Sequence, residues 1–282
     1  MNTTTPSSGA SRRNPRRRRP AGSPTNGTTS GANGNQNNRR NDSAAAAPSA
    51  VGTVDGVDLS PSTAPVADAA DFAELHVPAP IVAALTSEGI TAPFPIQTAT
   101  LPDSLAGRDV LGRGKTGSGK TIAFAIPTVV RLAESGAKRE TKKPRALILV
   151  PTRELANQVA ETLGPIAAAM NQKVAVVFGG VGQGPQVTAL RLGVDILVAC
   201  PGRLEDLIAQ RHCRLDQVEV TVLDEADHMA DLGFLPAVKR LLDQTPANAQ
   251  RLLFSATLDN GIDVLVKRYL TNPVVHSVDP AI

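Results

Sequence analysis

The sequence predicts an α/β domain, a mostly parallel sheet flanked by helices, behind an N-terminal segment that does not fold. Three observations carry that prediction. Short, apolar, β-rich runs recur along the chain. Stretches with helical periodicity separate them. The composition changes abruptly near Asp71. Strands apolar on both faces are typical of parallel sheets covered on both sides, and strand–helix alternation places ligand loops at the carboxyl ends of the strands.

Residues 1 to 70 are Ser, Thr, Asn, Gly, Pro and Ala with almost no large apolar side chains. Such a segment cannot bury enough surface to offset its ordering entropy, so a disordered tail is expected over 1–70 and one folded domain over 71–279. The net charge of +3 divides unevenly. The tail holds Arg12, Arg13, Arg16 to Arg19, Arg39 and Arg40 against Asp42, Asp55, Asp58 and Asp68, while the remainder holds 21 basic and 22 acidic residues. The basicity therefore belongs to the tail. An arginine-rich arm suits phosphate backbones without reading bases; the plainer alternative is a solubilising arm.

Strands are expected at Asp109 to Gly112, Ala146 to Val150, Val174 to Phe178, Asp195 to Cys200, Val218 to Leu223, Arg251 to Phe254 and Val274 to Val278. Helical stripes fall at Leu155, Val159, Leu163 and Ile166, at Leu235, Val238, Leu241 and Leu242, and at Ile262, Leu265, Val266, Tyr269 and Leu270. Two cysteines, Cys200 and Cys213, make neither a disulfide framework nor a metal site and read as reduced thiols of a cytoplasmic protein. No run of eighteen or more apolar residues predicts a membrane span. The basic N-terminus lacks the apolar core of a secretory signal.

Gly114-Lys115-Thr116-Gly117-Ser118-Gly119-Lys120-Thr121 matches a phosphate-binding loop at every fixed position, between a strand and a helix. Glycines let consecutive N–H groups face phosphate oxygens, and the helix N-terminus adds positive potential. Lys120 is expected to neutralise the β- and γ-phosphates of a nucleotide, and the Thr121 hydroxyl to ligate Mg²⁺. Such a site needs carboxylates for the metal and the attacking water. The apolar run Val218 to Leu223 ends in Asp224, placed to reach Mg²⁺, and Glu225, placed to turn toward the γ-phosphate.

At this point the chain resembles the DEAD-box ATP-dependent RNA helicases. Asp224-Glu225-Ala226-Asp227 is the tetrapeptide that names the family. Pro151 to Ala156 is similar to its motif Ia, Phe178 to Gly180 to its GG motif, Pro201 to Arg203 to motif Ib and Ser255 to Thr257 to motif III, in the family's order. The resemblance implies a RecA-like fold with ATP and Mg²⁺ as cofactors. Glu225, Lys120 and Asp224 are implied as catalytic, and Thr121 and Asp224 as metal-binding. Gln97, closing the Q motif Gly89 to Gln97, would read the adenine edge, with Phe72 as the isolated upstream aromatic. Thr152, Arg153, Gly180, Gly202 and Arg203 would hold the RNA backbone. Asp227, Ser255 and Thr257 would couple the two activities, Asp227 by bonding across a closed interface.

Four positions depart from the family pattern. Ile90 stands where an aromatic packs on adenine, and Phe94 stands where Thr is usual. Gly114 replaces Ala, and Cys200 replaces Thr before Pro-Gly-Arg. Nothing after Thr257 resembles the family's second RecA-like domain, so the expectation is the ATP- and RNA-binding half of an RNA helicase, with a second domain as partner. The alternatives are a nucleotide- and RNA-binding module with little turnover by itself, and a P-loop ATPase acting on DNA or protein.

Overall fold

The computed structural model describes residues 59–62, 71–259 and 261–278. Seven strands form one parallel sheet: β1 (Val110–Arg113), β2 (Ala146–Leu149), β3 (Val174–Val177), β4 (Ile196–Ala199), β5 (Val220–Leu223), β6 (Gln250–Ser255) and β7 (Val274–Ser277). Each lies within the expected apolar run or one residue beyond it. Their spatial order is β3-β4-β2-β5-β6-β1-β7.

The helices are α1 (Ala79–Ser87), α2 (Pro95–Leu105), α3 (Lys120–Ser135), α4 (Arg153–Ala169), α5 (Gly184–Leu192), α6 (Pro201–Ala209), α7 (Ala226–Asp231), α8 (Leu235–Leu242) and α9 (Ile262–Tyr269). They divide by sequence order. Buried residues of α1 to α4 pack with Val110, Ile148, Val198, Val222 and Phe254 on one face of the sheet. Those of α5 to α9 pack with Leu111, Leu147, Leu197, Leu223 and Leu253 on the other. Neighbouring residues such as Leu147 and Ile148 thus serve opposite layers, which is why central strands such as β2 (Ala-Leu-Ile-Leu) and β4 (Ile-Leu-Val-Ala) are apolar on both faces.

Gly112 lies in β1 beside Phe254 of β6, and a β-carbon there would stand 2.5 Å from the Phe254 ring. Only glycine admits that ring, which in turn packs on Phe124 of α3 with centroids 5.6 Å apart. The contact seats the helix that follows the phosphate loop.

Two expectations need adjustment. The tail was expected to extend to residue 70, but within it Leu59 is 1% exposed and packs with the second core layer, and the Ser62 N–H donates to the Val275 carbonyl at 2.7 Å. The Leu59 side chain anchors that stretch in the core, and the Ser62 bond joins it to β7. The rest of the expected tail, 1–58 and 63–70, lies outside the described residues. Phe72, expected near the nucleotide, is 1% exposed and packs in the first core layer. A ring with no polar atom is more stable there than beside a triphosphate.

Candidate active site

The sheet order sorts the functional segments. The carboxyl ends of adjacent β5, β6 and β1 carry Asp224 to Asp227, Ser255 to Thr257 and the phosphate loop. The ends of adjacent β3, β4 and β2 carry Phe178 to Gly180, Cys200 to Arg203 and Pro151 to Arg153. One half of the sheet edge therefore holds the nucleotide candidates and the other half the nucleic-acid candidates.

In the first half, β1 runs into a loop whose Gly117 and Gly119 have φ of +83° and +89°, a region that favours glycine. Gly119 then starts α3, whose first residue is Lys120. The Lys120 ammonium is buried and donates to the Gly114 carbonyl at 2.7 Å, so the loop is folded over its own cation. Thr121 is half-buried in the first turn of α3, and Lys115 and Thr116 are exposed at the loop tip. The Gly114 N–H donates to the Ser255 carbonyl at 3.3 Å, joining the loop to β6.

The acidic segment meets this loop. Thr116 Oγ1 donates to Glu225 Oε1 at 3.2 Å, and His228 Nδ1 lies 3.4 Å from Glu225 Oε2. Glu225 has φ +51° and ψ +52° at the N-cap of α7. A left-handed conformation costs a non-glycine residue about 1–2 kcal/mol, and it is what turns this carboxylate from the strand toward the loop. Asp224 is almost fully buried, and burial pushes its carboxyl up to about 7, with Lys120 opposing the shift and Glu225 and Asp227 adding to it. A buried acid with only a loop-bound cation nearby is poised for a positive charge.

Asp227 and motif III form one unit. The Asp227 N–H donates to Ser255 Oγ at 3.2 Å, and Asp227 Oδ2 accepts the N–H groups of Ala256 and Thr257 at 3.1 and 3.2 Å. The carboxylate expected to reach across an interface is here engaged within its own domain. The reason is local: two strand-end N–H groups sit one strand away from it.

Gln97 also does something the sequence did not disclose. Its Oε1 accepts the Phe94 N–H at 2.8 Å and its Nε2 donates to the Gly119 carbonyl at 2.9 Å, at 1% exposure. The amide thus ties the start of α2 to the last glycine of the phosphate loop. One N–H and one lone pair of the amide remain beyond those bonds.

In the second half, Arg153 opens α4 and its guanidinium carbon lies 5.5 Å from the Phe178 ring centroid, bridging the ends of β2 and β3. Thr152 is the N-cap of α4 and its hydroxyl accepts the Leu155 N–H at 3.2 Å. Its observed task is thus helix capping. Gly180 has φ +78° and, like Gly202, is exposed with open space around its Cα. Arg203 donates from Nη2 to the Val181 carbonyl at 3.1 Å, while its Nη1 is buried without a partner. Cys200 caps α6 without a side-chain hydrogen bond, and burial raises its thiol to about 11. It is a neutral thiol in a position where a hydroxyl would bond.

The residues present fit a nucleotide carrying Mg²⁺. Ser118 Oγ, inside the loop, is buried without a partner. The Lys120 ammonium has a carbonyl rather than a carboxylate as its partner. Among the described residues no group of three or more His, Cys, Asp or Glu could hold a metal ion. Also among the described residues, no helix is long and apolar enough to cross a membrane.

Comparison with known proteins shows the family and the fold. Residues 94–264 match the family model of the DEAD/DEAH box helicases. The chain is 45% identical over 206 residues to the chloroplastic DEAD-box ATP-dependent RNA helicase 3A of Zea mays, covering 72% of this chain and 27% of that protein. It is 43% identical to the ATP-dependent RNA helicase RhlB of Sodalis glossinidius, covering 74% and 51%. It is 42% identical to the ATP-dependent RNA helicase DeaD of Mycobacterium tuberculosis, covering 76% and 37%. A crystal structure of a DEAD box protein from Methanococcus jannaschii superposes with a TM-score of 0.68 at 34% identity, covering 74% of this chain and 56% of that one. The chain spans about a quarter to a half of these curated relatives' length.

Proposed function

The chain belongs to the DEAD/DEAH box helicase family, and from that premise we propose that it binds ATP with Mg²⁺ at the β5-β6-β1 edge and RNA backbone at the β3-β4-β2 edge, as the N-terminal RecA-like half of an ATP-dependent RNA helicase. The observation that carries the proposal is the sorting of the two residue sets onto two adjoining halves of one sheet edge. Nucleotide chemistry and backbone grip then share a rigid platform, so a change at one is felt at the other.

In this reading Lys120 leaves the Gly114 carbonyl and neutralises the β- and γ-phosphates. Thr121 and Asp224 hold Mg²⁺, which supplies charge neutralisation on the phosphate oxygens when bound. Glu225 leaves Thr116 and orients the attacking water. Gln97 holds the loop and offers its remaining donor and acceptor to adenine. Asp227, Ser255 and Thr257 transmit the loop's state along β6. Arg153, Arg203 and the open backbones at Gly180 and Gly202 grip phosphates without reading bases, and Thr152 holds α4 in place for them. A second RecA-like domain closing on ATP and RNA completes the site with further arginines. The arginines of the N-terminal tail add sequence-blind, salt-sensitive attraction. The two free thiols, Cys200 and Cys213, suit a reducing, cytoplasmic location.

The test is ATP turnover by the full chain with and without single-stranded RNA, alone and with a second RecA-like domain supplied in trans. RNA-stimulated turnover that rises on adding the second domain is the expected outcome. No measurable ATP binding by calorimetry would sink the proposal, and equal stimulation by DNA would reassign the substrate.

A further inference from the structure

Phe94 occupies a position that local rules assign to another residue. It is the N-cap of α2, with φ −77° and ψ 159°, and it makes no side-chain cap bond. Ser, Thr, Asp or Asn there would cap the helix and stabilise it. Phe94 is 55% exposed and is the one aromatic among the large exposed apolar residues of the described residues. A missing cap and an exposed ring both count against stability, and such violations concentrate where a residue has another task.

The ring's surroundings indicate the task. A β-carbon on Gly119 would stand 2.5 Å from Phe94 Cδ2, 3.3 Å from Phe94 Cβ and 2.6 Å from Gln97 Nε2. The ring therefore lies directly against the last glycine of the phosphate loop, beside the Gln97 amide. Its backbone is held there, because Gln97 Oε1 accepts the Phe94 N–H while Nε2 grips the Gly119 carbonyl. The two other candidates for a flat wall are taken. Phe72 is buried in the first core layer, and Ile90 packs partly buried against that same layer.

We propose that Phe94 is a substrate-binding residue of the nucleotide site, its exposed ring packing against the base–ribose portion of a purine nucleoside triphosphate. This rests on the nucleotide reading given above. An aromatic face stacks on any purine, so the ring adds affinity for adenine and guanine nucleotides alike and leaves their discrimination to Gln97.

The experiment is calorimetry of the full chain with ATP, GTP and inorganic tripolyphosphate, each with Mg²⁺, for the unaltered protein, Phe94→Thr, Phe94→Leu and Phe94→Tyr. Stacking contributions of this kind correspond to about a tenfold change in affinity. Phe94→Thr and Phe94→Leu are expected to lose about tenfold for ATP and GTP alike, with tripolyphosphate unchanged and Phe94→Tyr close to the unaltered protein. Phe94→Thr is expected to keep or raise the melting temperature, because a hydroxyl completes the cap, so lost affinity will not reflect unfolding. ATP affinity within twofold in both Phe94→Thr and Phe94→Leu overturns the proposal while leaving the nucleotide reading intact. Equal losses for tripolyphosphate overturn it too, since they place the effect on the loop. If neither ATP nor tripolyphosphate binds the unaltered protein, the nucleotide reading fails and this proposal fails with it.

Discussion

Asp227 accepts the backbone N–H of Thr257 through Oδ2 at 3.2 Å, across the adjacent ends of β5 and β6. Through the same oxygen it holds Ala256, and through its own N–H it bonds Ser255. The acidic tetrapeptide and motif III are therefore locked together, and Ser255 also receives the phosphate loop through Gly114. Asp227→Ala removes the acceptor for three N–H groups, those of His228, Ala256 and Thr257. Hydrogen bonds to charged groups are worth about 1.5–3 kcal/mol each, less at this exposed site, so a stability loss of roughly 1–2 kcal/mol is expected in denaturant melts. Faster amide exchange at His228, Ala256 and Thr257 would locate the effect; unchanged exchange at Ala256 and Thr257 would refute it.

Burial pushes the Asp224 carboxyl up to about 7, so folding takes up a proton between the usual carboxylate range and that value. The folded state binds more protons there, and stability falls as pH rises through the window and flattens above it. Asp224→Asn removes the titration. Its melting temperature is expected to vary less with pH and to exceed that of the unaltered protein above about pH 7, while Mg²⁺-dependent ATP affinity is lost. In the unaltered protein that affinity falls as pH drops through about 7, because the metal needs the carboxylate. Parallel melting curves for the two proteins across pH 4 to 8 would contradict the buried-acid account.

Lys120→Ala takes away the cation the loop is folded around. ATP binding by calorimetry is expected to disappear. Glu225→Gln keeps side-chain size and loses the charge, so ATP affinity is expected to persist while turnover, measured with the second domain supplied, falls at least a hundredfold. Joint loss of affinity and turnover in Glu225→Gln would exchange the roles given to Asp224 and Glu225.

Gly112→Ala drives a methyl group into the Phe254 ring. Overpacking of this kind costs about 1–3 kcal/mol, and the displaced ring would loosen Phe124 on α3. Denaturant melts check the first, and ATP affinity checks the second. A neutral melt would mean that β1 and β6 separate more easily than their register implies.

Cys200→Thr offers α6 the side-chain cap it lacks. A gain of about 0.5–1 kcal/mol in stability is expected, with higher RNA affinity if the new hydroxyl also meets a phosphate. RNA affinity by fluorescence anisotropy separates the two effects, and a loss of stability would show that burial of the hydroxyl outweighs the cap.

Much of this protein was legible in one dimension. All seven strands follow from short β-rich runs, several of them apolar on both faces, and the phosphate loop, Asp224 and Glu225 follow from fixed spacings between a strand and a helix. Backbone propensity, hydrophobic periodicity and loop chemistry act over a few residues, so the sequence by itself determined them. What it did not determine was which strand lies beside which. The order β3-β4-β2-β5-β6-β1-β7 sorts the segments into two sites, and it arises from helices α1 to α4 and α5 to α9 covering opposite faces. Side-chain partners were equally out of reach. Phe72 went to the core, Thr152 to a helix cap, Gln97 to the Gly119 carbonyl and Leu59 to the second core layer. Each of those outcomes depends on which apolar surface and which unpaired backbone group folding brings within a few ångströms, and only the packed tertiary structure decides that.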